Sequence, residues 1–278
     1  MKNEKKILVI GAKGMLGQAV YKYLRQIYPN TFGTDRSDRK YYHLSAPTLQ
    51  KDFKKIIKDL KTIDFIINCI GLLPSSKDKR GMSLVNSKFP KKLVSLTSKH
   101  GIKVIHISTD AVFSSASSVV YENSKPKPDS FYGKTKLKGE VKSTNVLNIR
   151  TSILGLDPLS HKGLLEWAKS EDKINGYVNH IWSGCTTLQF AKLCEYLIKG
   201  DNFEKIRKKS YVIHYAPLGP ISKFDLIKIF LNVSKINKKI SKTQSLYPID
   251  RRLKSIYNIP PGKKDLNLEI LELIKFFK

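Results

Sequence analysis

Tyr132 and Lys136 stand four apart in DSFYGKTKLKGE, residues 129–140, and Thr109 lies 23 positions before the tyrosine. On a helix that spacing puts both side chains on one face. A tyrosine, a lysine and a threonine brought together could protonate a ketone oxygen while a nicotinamide reduces its carbon. The alkoxide that develops needs a proton and hydrogen-bond donors. A free phenol titrates near about 10, so it is a usable acid and a poor base at neutrality. An ammonium close by stabilises the phenolate and is expected to lower that pKa. Lys136 could also hold the ribose hydroxyls of the nicotinamide, and Thr109 could steady the substrate oxygen beside Tyr132. In a chain with 51 lysines and arginines such a pair also arises by chance, so the surrounding elements have to decide.

Short apolar runs alternate with amphipathic stretches through the first half. KILVI (6–10), TFGT (31–34), DFIINCIG (64–71), KVIHIS (103–108) and VLNIR (146–150) read as strands, and 14–28, 48–60, 82–99 and 130–142 as helices. This rhythm predicts parallel strands joined by right-handed crossovers, an α/β fold with a Rossmann-like doubly wound parallel sheet. Runs such as FIIN and VIHI are apolar on both faces, as strands covered by helices on either side should be. Thr109 then falls at the C-terminal end of a strand and Tyr132 and Lys136 at the start of the next helix. Both lie on the edge where such sheets bind ligands.

The rhythm breaks after residue 155. Helical patterns at 161–170, 187–199, 222–236 and 267–277 surround isolated strands near 211–215 and 245–247. Residues 1–155 are therefore expected to form a dinucleotide-binding domain. Residues 156–278 are expected to form a smaller, mainly substrate-binding region interleaved with the sheet's last strands. Residues 114–130 read as one long irregular loop, a feature often tied to function in compact domains.

GAKGMLG follows the first strand directly, with glycines at 11, 14 and 17. Gly11 permits the strand-to-helix turn, Gly14 lets the backbone approach a pyrophosphate, and Gly17 permits close helix packing. The helix N-terminus supplies the positive end of a dipole. A glycine triplet is informative only in this strand–turn–helix context. Cofactor preference should be written after the second strand, at Thr34-Asp35-Arg36. Asp35 could accept from an adenosine ribose hydroxyl and favour NAD; Arg36, with Arg39 close by, could pair with the 2′-phosphate of NADP. The cofactor is NADP or NAD, with the balance leaning to NADP.

Composition narrows the remaining classes. With 41% hydrophobic and 10% aromatic residues the chain is globular. Its net charge of +28 suits a polyanionic ligand. The lysines are scattered as pairs, without zinc-finger spacing or an RNA-recognition signature, so no nucleic-acid partner is expected. Three cysteines are too few for a disulfide framework. Neither the cysteines nor the histidines show metal-ligand spacing, so no metal is expected. The opening MKNEKKILVIG holds only a short apolar run, neither signal peptide nor membrane span. No membrane partner is expected, and the default location is cytoplasmic.

GAKGMLG, INCIG, VNSKFPKKLVSLTSKHGIKVIHISTDAVF, YENSKPKPDSFYGKTKLKGE and LNIRTSILG, in that order, resemble the extended short-chain dehydrogenase/reductase superfamily. Within it they resemble the dTDP-4-dehydrorhamnose reductase family. The resemblance is dense over 5–155 and thinner over 156–215, where NHIWSGCTTLQFAKL still looks like the group. It implies a nucleotide-sugar substrate whose 4-keto group is reduced by NAD(P)H. It also implies that Met15, Leu16, Ile70, Gly71, Tyr132 and Lys136 contact the cofactor and that Thr109 and Asp110 face the sugar. Related dehydratases carry Thr-Asp-Glu at the strand end; here Ala111 follows Asp110, so their carboxyl pair is missing. Ile153 stands where the reductases usually place a tryptophan against the sugar. Arg150 is open between a diphosphate contact and a structural ion pair, and Trp182 between a substrate pocket and core packing. Asn86 reads as a buried polar bridge, and Lys134 and Lys138 as solvated helix surface. A nucleotide-sugar epimerase or a non-catalytic cofactor-binding regulatory subunit remain the alternative functions, and a homodimer is left open.

Overall fold

Ile7, Leu8, Val9 and Ile10 are all buried, so the first strand has two covered faces. The computed structural model describes residues 4–157, 163–260 and 265–278. The first half runs β1 (Ile7–Ile10), α1 (Met15–Ile27), β2 (Thr31–Asp35), β3 (Tyr42–His43), α2 (Leu49–Leu60), β4 (Phe65–Asn68), α3 (Lys79–Ser83), a π-helical turn (Leu84–Lys88), α4 (Phe89–Ser98) and β5 (Lys103–Ile107). A 3₁₀ turn (Asp110–Val112), β6 (Ser118–Val120), α5 (Phe131–Gly139) and β7 (Val146–Arg150) follow. The second half adds β8 (Ile153–Leu154), α6 (Leu164–Ser170), β9 (Ile174–Tyr177), β10 (His180–Trp182), β11 (Cys185–Thr186), α7 (Thr187–Ile198), α8 (Asn202–Lys209), β12 (Val212–His214) and β13 (Ile221–Ser222). It ends with α9 (Lys223–Val233), β14 (Ile240–Thr243), β15 (Ile249–Leu253) and α10 (Leu266–Phe277).

The central sheet has seven strands in the order β12-β7-β5-β4-β1-β2-β3, and every neighbouring pair is parallel. The chain order reverses between β1 and β4, which opens a crevice at their C-terminal ends. Side chains alternate across the sheet as the strand period requires. Ile7, Val9, Phe65, Ile67, Ile105, Leu147 and Ile149 share one core with α1 and α7. Leu8, Ile10, Ile66, Val104 and Val146 share the other with Phe53 of α2 and Leu93 of α4. The doubly wound α/β architecture read from the sequence is the one observed.

The two halves are woven together. β12 joins the central sheet beside β7. β6 leaves the first half to pair with β15 in a four-stranded sheet ordered β13-β10-β15-β6. A third core, built on Leu165, Trp182, Leu226, Phe230, Ile270 and Leu273, holds α6, α9 and α10 together.

Several elements differ from their expected form. Residues 245–247 are a bend rather than a strand: Asn179 brackets Ser245 on both sides of its backbone, and the Ser245 hydroxyl accepts from the Tyr247 N–H at 3.1 Å. Strands β14 and β15 lie on either side of this bend. The stretch 114–130 is not wholly irregular, because β6 finds a partner far along the chain. The helix expected over 82–99 is broken by the π-helical turn, and α8 carries no strong apolar period to announce it. The helix over 161–170 is observed from Leu164; residues 161 and 162 lie outside the described residues. Among the described residues no helix is long and apolar enough to cross a membrane.

Candidate active site

The crevice beside β1 is floored by the glycine turn. Gly11 has φ 80°, and a Cβ there would collide with Ile70. A Cβ at Gly17 would collide with the Gly11 carbonyl, so the helix crosses its own turn at a distance only glycine allows. Gly14 differs: a Cβ would meet only the Gly11 oxygen at 3.5 Å, and the residue is exposed. Helix α1 has no side-chain cap at Gly14, so its first-turn N–H groups are left for another acceptor. This uncapped helix end beside an open glycine face fits the pyrophosphate of a dinucleotide.

Gly14→Ala is expected to leave the fold within about 1 kcal/mol of its stability while weakening NAD(P) binding at least roughly tenfold. Gly17→Ala should cost about 2 kcal/mol or more, because backbone rather than a side-chain tip stands in the way. Thermal unfolding beside cofactor titration separates the two.

Met15 packs against Gly155 and Gly163. The Leu16 side chain is buried in the core, so only its main chain faces the crevice. The Asp35 Oδ1 accepts from the Ser37 N–H at 2.9 Å, the Ser37 hydroxyl at 3.0 Å and the Asp38 N–H at 2.9 Å. Burial works to raise the Asp35 pKa, but these bonds and the Lys13 charge outweigh it and hold the carboxyl below its ordinary value. Lys13, inside the glycine turn, pairs with Asp38 at 3.3 Å. Arg36 and Arg39 are exposed at the same rim.

Beyond β4, Gly71 turns an open Cα towards Asn86 and Lys136; a Cβ would sit 3.4 Å from Asn86 Oδ1 and 3.9 Å from Lys136 Nζ. Asn86, in the π-helical turn, accepts from the Leu72 N–H and donates to the Leu72 carbonyl, each at 2.9 Å. It also donates to the Thr135 hydroxyl at 3.2 Å, which makes it the polar bridge expected. It ties the loop after β4 to α5.

Ser130 caps α5 by accepting from the Gly133 N–H at 3.0 Å, and Tyr132 and Lys136 share the inward face of that helix. Lys134 and Lys138 are exposed. Lys136 is buried, and its ammonium donates to the Ile107 carbonyl at 2.6 Å. Burial pushes its pKa down to about 8, with Glu140 and then Cys69 pulling it back up. The Thr109 hydroxyl donates to Asp110 Oδ1 at 3.0 Å and lies near enough to the Tyr132 phenol to act on it. Contrary to the sequence-based expectation, the phenol is not lowered but pushed up to about 12. Desolvation dominates; the Thr109 hydroxyl lowers it, Asp110 raises it and Arg251 lowers it. Lys136, whose ammonium donates to a strand carbonyl, is not among the charges that shift the phenol.

Two expected substrate contacts are corrected. Arg150 is 2% exposed and forms a two-point ion pair with Glu140, Nε to Oε1 at 2.8 Å and Nη2 to Oε2 at 2.7 Å. Its guanidinium stacks over Phe113 at 5.1 Å. Of its two readings the structural ion pair is the one observed. Trp182 is core: it is 8% exposed, packs in the third cluster and donates its indole N–H to the Ser152 hydroxyl at 2.9 Å. Asp110 does lie at the mouth, paired with Arg251 at 3.1 Å.

Glu140, Lys223 and Arg251 were not singled out from the sequence. Glu140 follows Lys136 by four and caps the end of α5, so its spacing was a usable signal. Arg251, in IDRRL, carries none.

Curated relatives cover part of the chain. The beta subunit of methionine adenosyltransferase 2 from Xenopus laevis is 31% identical over 142 residues, 49% of this chain and 42% of that protein. A dTDP-4-keto-6-deoxy-D-glucose reductase from Streptomyces niveus is 28% identical over 137 residues, 48% of this chain and 45% of that protein. The chain thus spans less than half the length of the curated relatives it matches. The solved dTDP-4-dehydrorhamnose reductase from Bacillus anthracis, in complex with NADP, superposes with a TM-score of 0.76 at 17% identity, covering 98% of each chain. The fold is shared along the whole length. The family model of the RmlD substrate binding domain matches residues 5–269, and the chain belongs to that family.

Proposed function

We propose that this chain is an NAD(P)H-dependent reductase of a nucleoside-diphosphate 4-keto-6-deoxy sugar, supplying precursors for surface polysaccharide. The observation that carries the reading is Thr109 acting on the Tyr132 phenol while Lys136, on the same helix face, lies against the end of β5 and beside Gly71. When bound, the reduced nicotinamide supplies the hydride. The chain's own residues do the rest. Thr109 holds the carbonyl oxygen, Tyr132 delivers the proton that the developing alkoxide needs, and Lys136, one helical turn on, holds the nicotinamide ribose and keeps a positive charge in the site. The missing carboxyl after Asp110 leaves no partner for water elimination, which favours reduction over dehydration.

NADPH is the favoured cofactor. Asp35 spends one carboxylate oxygen on the Ser37–Asp38 turn, while Arg36 and Arg39 are exposed beside it. The net charge of +28 helps draw in a polyanionic cofactor and substrate. The experiment is consumption of NADPH and of NADH with freshly generated dTDP- and UDP-4-keto-6-deoxy sugars. Turnover with a lower KM for NADPH is expected. Arg36→Ala should raise that KM about tenfold and leave NADH nearly unaffected. Cofactor binding without consumption on any of these sugars would move the reading to an epimerase or to a regulatory subunit.

A further inference from the structure

The end of β5 is held by a residue from the far end of the chain. Arg251 on β15 donates from Nε to Asp110 Oδ2 at 3.1 Å and from Nη1 to the Ser115 hydroxyl at 3.4 Å. The other Asp110 oxygen accepts from the Thr109 hydroxyl at 3.0 Å. Thr109 Oγ1 in turn accepts the Ala111 N–H at 3.2 Å. Arg251 and Asp110 are 16% and 21% exposed. The strand that carries Arg251 is anchored where it meets the loop, the Asp250 N–H donating to the Ser115 carbonyl at 2.7 Å. One chain of hydrogen bonds therefore runs from the C-terminal sheet through Asp110 to Thr109, and the charges of Asp110 and Arg251 both act on Tyr132.

A hydroxyl has a single proton to give. In this arrangement Thr109 gives its proton to Asp110, and while it does so it cannot donate to a substrate oxygen. A bare carboxylate would hold that proton firmly. It would also set an uncompensated negative charge beside the position where phenolate and alkoxide develop. A carboxylate already accepting a charge-assisted bond from a guanidinium is a weaker acceptor and is locally neutralised.

We propose that Arg251 is a positioning residue of the reduction: by pairing with Asp110 it weakens that carboxylate's hold on the Thr109 hydroxyl, so that a substrate oxygen can take it, and offsets the carboxylate charge beside Tyr132. The proposal rests on the reductase reading of the same site. The other charged groups around the pair are Lys223 at the start of α9, His180 on β10 and Asp129 before α5. Asp129 is engaged by the Ser115 N–H at 2.8 Å. Burial holds His180 below its ordinary value, so it is largely neutral at neutral pH. Burial likewise lowers Lys223, which Asp110 pulls back up. Arg251 is the cation hydrogen-bonded to Asp110.

The test is a cycle of Arg251→Met, Asp110→Asn and the double variant, with Arg251→Lys as the conservative change. kcat and KM are measured against pH, and the tyrosinate absorbance of each protein is taken as its difference from a Tyr132→Phe counterpart. Arg251→Met should lower kcat about tenfold with KM for the sugar nearly unchanged, and should move the onset of Tyr132 ionisation up by about one pH unit. Adding Asp110→Asn should bring the onset back down and return kcat to that of Asp110→Asn alone. Arg251→Lys should fall between. A raised KM with kcat intact, not rescued by Asp110→Asn, would overturn the proposal and make Arg251 a contact for the substrate's own anion. An onset that does not move would overturn it as well. Should the parent chain turn over no keto sugar, the reductase reading fails, while the tyrosinate titration still decides whether Arg251 governs Tyr132.

Discussion

Replacing Tyr132 by phenylalanine should lower turnover about 10²- to 10⁴-fold, the usual weight of a positioned proton donor, and leave cofactor binding intact. Thr109 is far too weak an acid, and the Lys136 ammonium is directed at the Ile107 carbonyl, which leaves the phenol as the donor to the substrate oxygen. With the phenol pushed up to about 12, mainly by desolvation, it stays protonated throughout the working range. Lys136, pushed down to about 8 by burial, loses its charge first. The reduction needs that charge on the helix face it shares with the phenolate that forms. Its rate should be level below a pH of about 8 and fall as pH rises through that value. A pH profile of kcat checks this. Lys136→Arg, which stays charged, should carry the falling limb to higher pH at a reduced plateau. A limb unmoved by that change would assign the titration to another group.

Glu140→Ala should cost about 3–5 kcal/mol of stability, the usual consequence of stranding one partner of a buried ion pair. Glu140 and Arg150 side chains are each only 3% exposed. Their environment is otherwise saturated. Ser108 donates its hydroxyl to Glu140 Oε1 at 2.6 Å, and Arg150 Nη1 lies 3.4 Å from His214 Nε2. Burial pushes His214 down to about 4, Glu122 pulling it up and Arg150 down again. It is therefore neutral near pH 7. With Nδ1 donating to the Lys254 carbonyl at 2.9 Å, its Nε2 lone pair is free to accept from the guanidinium. Without Glu140 the guanidinium keeps only a neutral ring and an aromatic face. Arg150→Met should cost a similar amount by stranding the carboxylate. The double variant Glu140→Leu with Arg150→Met should recover most of the loss, since replacing both charges by apolar groups is often neutral. Urea unfolding of the three proteins measures each term. Because Ser108 adjoins Thr109, the single variants should also lose turnover, whereas a pair that merely filled space would leave it alone.

The parts of this site that were legible share one property: each is encoded within a few residues. The strand-turn-glycine run at 6–17 states a tight strand-to-helix turn by backbone need alone, and Gly11 at φ 80° meets it. Tyr132 and Lys136 share a face because a helix repeats at that spacing. Asn86 could be expected to bridge because a lone amide on a core-facing turn must find partners. Strands such as FIIN announce burial on both faces through composition. The readings that were left open or missed were of another kind. Trp182 has the same local sequence whether it lines a pocket or a core, and only Ser152, 30 positions away, decides for the core. The bend at 245–247 looked like a strand because Leu246 and Tyr247 favour one, until the bonds from Asn179 held it.

From the sequence alone came the parallel doubly wound sheet, the glycine turn after its first strand and the threonine, tyrosine and lysine at its C-terminal edge, because periodicity, turn chemistry and helix spacing act over short range. Tertiary structure alone decided what surrounds them electrostatically. Arg150 became a strut because Glu140 and His214 reach it, Tyr132 became a weaker acid because it is desolvated, and Asp110 acquired a partner 141 positions away in Arg251. Charge interactions and desolvation depend on distances through space and on exclusion of water, and neither is defined until the chain has packed.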